Sequence, residues 1–264
     1  MLDIKNSVAV ITGGSGGIGK ALARYWLEKG GKAVIADVAE DPLEKTLTEL
    51  KQISADVAAV PCNVTLEEEC ETLAGTAMEQ FGQINLVAPF AGITSDALMI
   101  KTDRESGKVI GKMSLEQFQK VVDINLTGVF LTVRECVEQM VNHGCRGLVC
   151  LVSSTGSLGT AGQLNYSSTK AAMSVMPKVM TAEFFRRGLA DKIRCMAVAP
   201  GYVGTPMVKE MDERIIRSIV DQVPVGRLIE PEEVVSLVAE LYRNEAMAGE
   251  TVFIHGGLRL GSKG

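Results

Sequence analysis

Tyr166 and Lys170 stand four residues apart in Tyr166-Ser167-Ser168-Thr169-Lys170, at the head of a helical pattern. On a helix that spacing puts two side chains on one face, one turn apart. A free phenol titrates near 10, so acid-base work near neutrality needs help worth ~4 kcal/mol. A neighbouring ammonium favours the phenolate and supplies help of that sign. Thirteen residues before Tyr166, Ser153 closes the apolar run Gly147–Val152. A hydroxyl there can hold a carbonyl oxygen beside the phenol. Ser154 follows directly, and a slip of one residue puts it in that place instead.

An anion site stands earlier in the chain. Thr12-Gly13-Gly14-Ser15-Gly16-Gly17-Ile18-Gly19 follows the first apolar run and opens the amphipathic stretch Lys20–Lys29. Such a junction offers unpaired N–H groups and the positive end of a helix dipole to a pyrophosphate. Glycine is required because a Cβ would block the approach. Asp37 ends the second run, eighteen residues past Gly19. A carboxylate there accepts from ribose hydroxyls and repels a 2′-phosphate. No Lys or Arg lies between Thr12 and Gly19 or directly after Asp37, so the expected cofactor is NAD. The loop also satisfies G-x-S-x-G, the nucleophile elbow of α/β-hydrolases. That elbow belongs after a deeper strand and needs a late histidine, for which His255 is the one candidate.

These groups are scattered along the chain, so a scaffold must bring them to one edge. Seven apolar runs are candidate strands: Ser7–Ile11, Ala33–Ala36, Val57–Val60, Ile84–Ala88, Gly147–Val152, Ile193–Ala199 and Thr251–Ile254. Helical patterns separate most of them, which predicts βαβ units. The runs are continuous rather than alternating, as in strands covered on both faces. The expected fold is a single-domain α/β Rossmann-type, doubly wound, mainly parallel seven-stranded sheet with helices on both faces. Asp41-Pro42-Leu43-Glu44, Thr65-Leu66-Glu67-Glu68 and Ser114-Leu115-Glu116-Gln117 read as helix starts. No linker, repeat or low-complexity segment divides residues 1–264. A polar interruption at Lys101–Lys112, with a Ser-Gly turn signal, predicts a hairpin or loop projecting from the sheet's edge.

Composition narrows the function classes. In 264 residues, Lys plus Arg number 27 and Asp plus Glu 32, a net charge of −5. That balance speaks against nucleic acid, which selects a basic face. Two histidines, with no H-x-x-x-H or H-E-x-x-H spacing, argue against a catalytic metal. Six scattered cysteines with no C-x-x-C read as reduced, buried thiols. No apolar run approaches the ~18 residues of a membrane span, and the start lacks the features of a signal peptide. A cytoplasmic location is expected.

The order and spacing of these motifs resemble the short-chain dehydrogenase/reductase family, from about Ser7 to Leu258. They are Thr12–Gly19, Asp37, Asn63-Val64, Ala91-Gly92, Asn125, Ser153, Tyr166–Lys170 and Pro200–Met207. Within it the chain is most similar to the 3-oxoacyl-thioester reductase and hydroxysteroid dehydrogenase branch. The resemblance implies NAD-dependent interconversion of a secondary alcohol and a ketone, with a small molecule or acyl thioester as substrate. Tyr166 would be the acid and base, Ser153 would orient the substrate oxygen, and Asn125 would hold a water. Lys170 would lower the Tyr166 pKa and bind the nicotinamide ribose. Gly13, Ser15, Gly16, Gly17, Ile18 and Gly19 would cradle the pyrophosphate. Asn63 and Val64 would flank the adenine, and Ala91 and Gly92 the ribose. Val203 and Thr205, beyond Pro200 and Gly201, would meet the carboxamide.

The family also implies a homotetramer, through the segments Phe118–Val141 and Ser167–Arg187 and the last strand. It suggests a basic carrier-docking patch, for which Arg146, Arg186 and Arg187 are candidates. Pro89-Phe90 replaces the usual Asn-Asn before Ala91-Gly92. That departure supports an alternative: a non-catalytic NAD-binding sensor or a structural subunit.

Overall fold

The computed structural model describes residues 1–209 and 211–258; Glu210 and 259–264 of the expected 1–264 domain lie outside them. The strands are β1 (Val8–Thr12), β2 (Lys32–Asp37), β3 (Val57–Pro61), β4 (Leu86–Pro89), β5 (Ile100–Thr102), β6 (Val109–Lys112), β7 (Gly147–Val152), β8 (Ile193–Pro200) and β9 (Thr251–Ile254). The helices are α1 (Gly17–Glu28), α2 (Glu40–Lys51), α3 (Glu67–Phe81), α4 (Leu115–Val122), α5 (Gly128–Asn142), α6 (Leu164–Arg186), α7 (Pro206–Lys209), α8 (Glu213–Val220) and α9 (Pro231–Arg243). All seven apolar runs are strands of one sheet, ordered β3-β2-β1-β4-β7-β8-β9. Every pairing in it is parallel. The result is a single Rossmann-like domain.

The continuous apolar runs have a direct cause. Successive residues of a strand face opposite ways, and each face of this sheet has its own core. Ala9 and Ile11 of β1 pack with α1, α2 and α9. Val10 between them packs with α3, α5 and α6. The same parity holds in β7, where Leu148 and Cys150 face the first core and Val149 and Leu151 the second. At the heart of the first core, Trp26 meets Tyr242 edge-on at 4.9 Å and donates to the Ser7 hydroxyl.

The chain runs outward from β1 to β3, then returns to place β4 on the other side of β1. That reversal opens a crevice at the carboxyl ends of β1 and β4, where open α/β sheets bind ligands. The polar interruption does form a hairpin, β5 against β6. It does not spring from the sheet's edge. It leaves the carboxyl end of β4, the middle strand, and makes a separate two-stranded sheet.

One of the three helix starts holds as read: the Ser114 hydroxyl accepts from Gln117 N at 3.0 Å. The other two shift. Helix α2 begins at Glu40, with Asp41 inside its first turn. Helix α3 begins at Glu67 because the Thr65 amide and hydroxyl both donate to Asn63 Oδ1.

Candidate active site

The glycine loop is shaped by two close approaches. Gly13 sits at φ +66°, and a Cβ there would lie 2.9 Å from Ala91 N. A Cβ on Gly19 would lie 2.3 Å from the Gly13 carbonyl. Helix α1 starts at Gly17 behind Gly16, with no side-chain cap and no acid in its first turn. Its first N–H groups and dipole are therefore directed at the crevice, free for an anion.

Asp37, at the carboxyl end of β2, pins the loop from the side. Its Oδ2 accepts from the Ser15 hydroxyl and, at 3.3 Å, from Ser15 N. This bond also removes Ser15 from the nucleophile role of a hydrolase. The two histidine Nδ1 atoms are engaged locally, His143 with the Gln139 carbonyl and His255 with Gly257 N.

Three adjoining cavities form one groove. The first, about 250 Å³, is lined by Asp37, Asn63, Val64, Ala91 and Ile93. The second, about 340 Å³, passes over Gly16, Gly17 and Ile18 to Val152 and Thr205. The third, about 290 Å³, holds Ser153, Ser154, Tyr166, Gln163 and Tyr202, with Pro200, Gly201 and Val203 on its wall. Gly13, Ser15, Gly92 and Phe90 are shared by the first two, and Ile18, Val152 and Thr205 by the last two. An elongated dinucleotide fits this donor set: a diol-accepting carboxylate at one end, bare helix N–H groups midway, a phenol at the other. A nicotinamide dinucleotide bound there would supply or accept a hydride.

Tyr166 and Lys170 share one face of α6, as their spacing requires. Lys170 is buried and donates to the Val152 carbonyl at 2.8 Å. Burial pulls its ammonium down to about 8. Its nitrogen lies over the Tyr166 ring, 5.6 Å from the centroid. The expected lowering of Tyr166 is not what this structure shows. Burial pushes the phenol up, the Ser154 hydroxyl bonded to it works against that, and the Asp96 carboxylate adds to it. The ammonium is turned to a carbonyl and over the ring face, so desolvation prevails.

The structure separates the two serines. Ser153 continues the parity of Val149 and Leu151 and faces α6. Its hydroxyl lies 2.7 Å from both the Lys170 carbonyl and Ser174 Oγ, and the residue is 1% exposed. Ser154, one residue on, turns over the sheet's end in an extended conformation, its Oγ accepting from Gly156 N at 3.0 Å. A Cβ built on Gly156 would meet Ser154 Oγ at 3.3 Å and Tyr166 Cε1 at 3.2 Å. Ser154 is thus the serine whose side chain stands next to the phenol, while Ser153, which also lines the cavity, has its hydroxyl engaged by Lys170 and Ser174.

Asn125 is also buried, in a π turn between α4 and α5. Its Oδ1 accepts from Ile93 N at 2.8 Å and its Nδ2 donates to the Ile93 carbonyl at 2.9 Å. Through these bonds the side chain braces the chain just beyond Gly92. Pro89 closes β4 opposite Thr12, whose hydroxyl accepts from Ala91 N at 3.2 Å. Ala91 and Gly92 therefore reach the groove without the usual amides, and the Phe90 ring lines it between them and the core.

A second set of residues carried no signal in the sequence. Buried Asn165 donates to the Ser95 carbonyl at 2.9 Å and accepts from Tyr166 N at 2.8 Å. Gln163 donates to Asp96 Oδ2 at 2.9 Å, and Ala97 N to the Gly162 carbonyl at 2.8 Å. These bonds tie the root of the hairpin to the start of α6. Only the position of Asn165 next to Tyr166 could have flagged one of them; the rest are long-range pairings between loops.

A model of the short chain dehydrogenase family matches residues 7–215. The 3-oxoacyl-acyl-carrier-protein reductase FabG of Thermotoga maritima is 29% identical over 257 residues, covering 97% of this chain and 98% of its own. The 3-hydroxyacyl-CoA dehydrogenase type-2 of Drosophila melanogaster is 32% identical over 264 aligned residues, covering 97% and 99%. A solved short-chain dehydrogenase/reductase from Brucella melitensis, titled a glucose/ribitol dehydrogenase, superposes with TM-score 0.84 at 26% identity, covering 97% of this chain and 98% of that one. On its motifs, its fold and these likenesses, the chain belongs to the short-chain dehydrogenase/reductase family of oxidoreductases.

Proposed function

We propose that this protein is an NAD-dependent alcohol dehydrogenase and ketoreductase acting on a 3-hydroxyacyl/3-oxoacyl thioester. The observation that carries the reading is the meeting of Tyr166 and Ser154 in one cavity, at the end of a groove that starts at Asp37. The Ser154 hydroxyl holds the substrate oxygen. Tyr166 gives that oxygen a proton as the ketone is reduced and takes it back as the alcohol is oxidised. A phenol held above its usual range stays protonated near neutrality, which suits the reductive direction. Lys170, held on the Val152 carbonyl, offers its remaining protons to the ribose. Asp37 supports NAD, because a 2′-phosphate would face a carboxylate already fixed by the loop. The thioester class is favoured by the names of the relatives, both acting on acyl thioesters.

The assembly we assign is a homotetramer. Its support is an apolar groove of about 480 Å³ between α5 and α6, lined by Phe130, Val133, Val175, Val179 and Phe184. A cytoplasmic setting is supported by six cysteines that are all free and buried. Among the described residues no helix is long and apolar enough to cross a membrane.

The test is an assay of reduced-nicotinamide absorbance, with acetoacetyl-N-acetylcysteamine and NADH in one direction and an alcohol panel with NAD in the other. The wild type should turn over. Tyr166→Phe should lose roughly two to four orders of magnitude in rate while its NAD affinity stays within about twofold. NAD binding without turnover across the whole panel would instead point to the sensor.

A further inference from the structure

The reaction proposed above uses none of the six cysteines, and the structure sorts them. Burial pushes Cys136, Cys150 and Cys195 up, Cys150 to about 12. Buried thiols of that kind are inert. Cys62 and Cys70 differ. Cys62 follows β3, its amide donating to the Asp37 carbonyl at 2.9 Å. Among the six, only Cys62 lines the groove, in the cavity it shares with Asp37, Asn63 and Val64.

Cys70 stands in the first turn of α3, and its thiol is hydrogen-bonded to that of Cys62. The Cys70 thiol donates to the Val64 carbonyl at 3.5 Å and lies 3.8 Å from Thr132 Oγ1 on α5. The bond from Cys62, with help from Thr132, draws Cys70 down against its burial. The same bond, with burial, pushes Cys62 up. The pair thus holds a thiolate more readily than a lone buried thiol does. Between the two cysteines runs the Asn63-Val64 wall of the cavity. The Asn63 amide is held by Glu69 Oε2 at 2.6 Å and the Val64 carbonyl by Cys70. Val64 also abuts Gly128, where a Cβ would come within 2.6 Å of Val64 Cγ2. This turn has little slack.

We propose that Cys62 and Cys70 form a dithiol site oxidised by hydrogen peroxide, whose disulfide and a bound adenine nucleotide exclude one another. The inference rests on the dinucleotide reading of the groove and adds a modification site to it. A cavity of about 250 Å³ admits a small peroxide to Cys62 when no adenosine fills it. The Cys62 sulfur attacks one peroxide oxygen as its proton passes to the Cys70 thiolate. An S–O bond forms, the O–O bond breaks, and the departing hydroxide takes the proton from Cys70 to become water. Cys70, again a thiolate, then attacks the Cys62 sulfur. The S–S bond forms, the S–O bond breaks, and the second hydroxide is protonated by solvent. The two thiols lose two electrons and the peroxide gains them. The new bond is far shorter than the hydrogen bond it replaces. It pulls Cys62 toward α3 and removes the S–H that held the Val64 carbonyl, so the adenine wall shifts.

The full-length reduced protein is treated with hydrogen peroxide, with and without saturating NAD. Without NAD, mass spectrometry should show the loss of two hydrogens, and peptides alkylated before digestion should carry a Cys62-to-Cys70 link. The NAD dissociation constant of the oxidised form should rise about 5- to 50-fold and recover with dithiothreitol. By reciprocity, saturating NAD should disfavour the disulfide by the same factor in dithiothreitol redox buffers. Diamide, which oxidises paired thiols, should leave NAD affinity unchanged in Cys70→Ala, with Cys70→Ser as a second variant should the first fold poorly. A link through Cys136, or oxidation that stops at one sulfenic acid, would overturn the dithiol site. A disulfide that leaves NAD affinity unchanged would overturn the exclusion. If the reduced protein binds no NAD, the dinucleotide reading falls, and the mass measurement still decides the disulfide by itself.

Discussion

Two neighbouring serines divide their work by the direction each faces. Ser153 Oγ is spent on the Lys170 carbonyl and Ser174, whereas Ser154 Oγ meets the Tyr166 phenol. Ser154→Ala should cost about 100-fold in turnover, the worth of one donor at a developing oxyanion. Ser153→Ala should keep most activity and lower stability by about 1 kcal/mol, read as a melting shift of a few degrees. The reverse pattern would return the substrate role to Ser153. Lys170 gives a second contrast. Its ammonium titrates near 8 in the fold against an ordinary 10.5, so between those values the unfolded chain holds more protons. Stability therefore rises with pH across that window, and below it the buried charge costs roughly 3 kcal/mol. Lys170→Met should abolish turnover yet melt higher than the wild type near neutrality, and the gap should close as pH climbs toward 10.5. A gap independent of pH would show that buried charge is not its cause.

Elements decide how these residues meet. Helix α6 begins where Asn165 receives Tyr166 N and grips the Ser95 carbonyl, so the phenol's place is set by a loop leaving β4. At the other end of the groove, the glycine loop is joined to β2 through Ser15 and Asp37. Asp37→Ala removes that joint and, on the NAD reading proposed above, the ribose acceptor. Its NAD affinity should drop by about 10- to 100-fold, and its preference over NADP should narrow. Titration with both cofactors checks this, and an unchanged ratio would contradict the NAD assignment. Much of this level was legible beforehand. The glycine loop, the Tyr–Lys pair and seven strands follow from short-range patterns, because spacing on a helix and burial on a strand are local. The hairpin was legible as an insertion, but the strand it leaves depends on the order of strands in the sheet.

At the scale of the whole molecule, two of the places where described residues leave apolar side chains exposed bear on assembly. One is the α5–α6 groove, where Phe130, Val175 and Val179 are about half exposed; the other is the β5–β6 hairpin. If the groove joins subunits, Val175→Glu/Val179→Glu should lower the sedimentation coefficient while the monomer keeps its secondary structure. A wild type that sediments as a monomer at micromolar concentration would remove the tetramer. The chain's residue order by itself determined the fold class, the dinucleotide groove and the Tyr166–Lys170 pair, since each is written in contacts between near neighbours or in patterns of burial. Tertiary structure alone decided which serine stands next to the phenol, which way burial moves the phenol's acidity and at which end of the sheet the hairpin stands. Each of those turns on orientation, on depth from water or on which end of a parallel sheet a segment occupies, and these are fixed only when distant segments pack together.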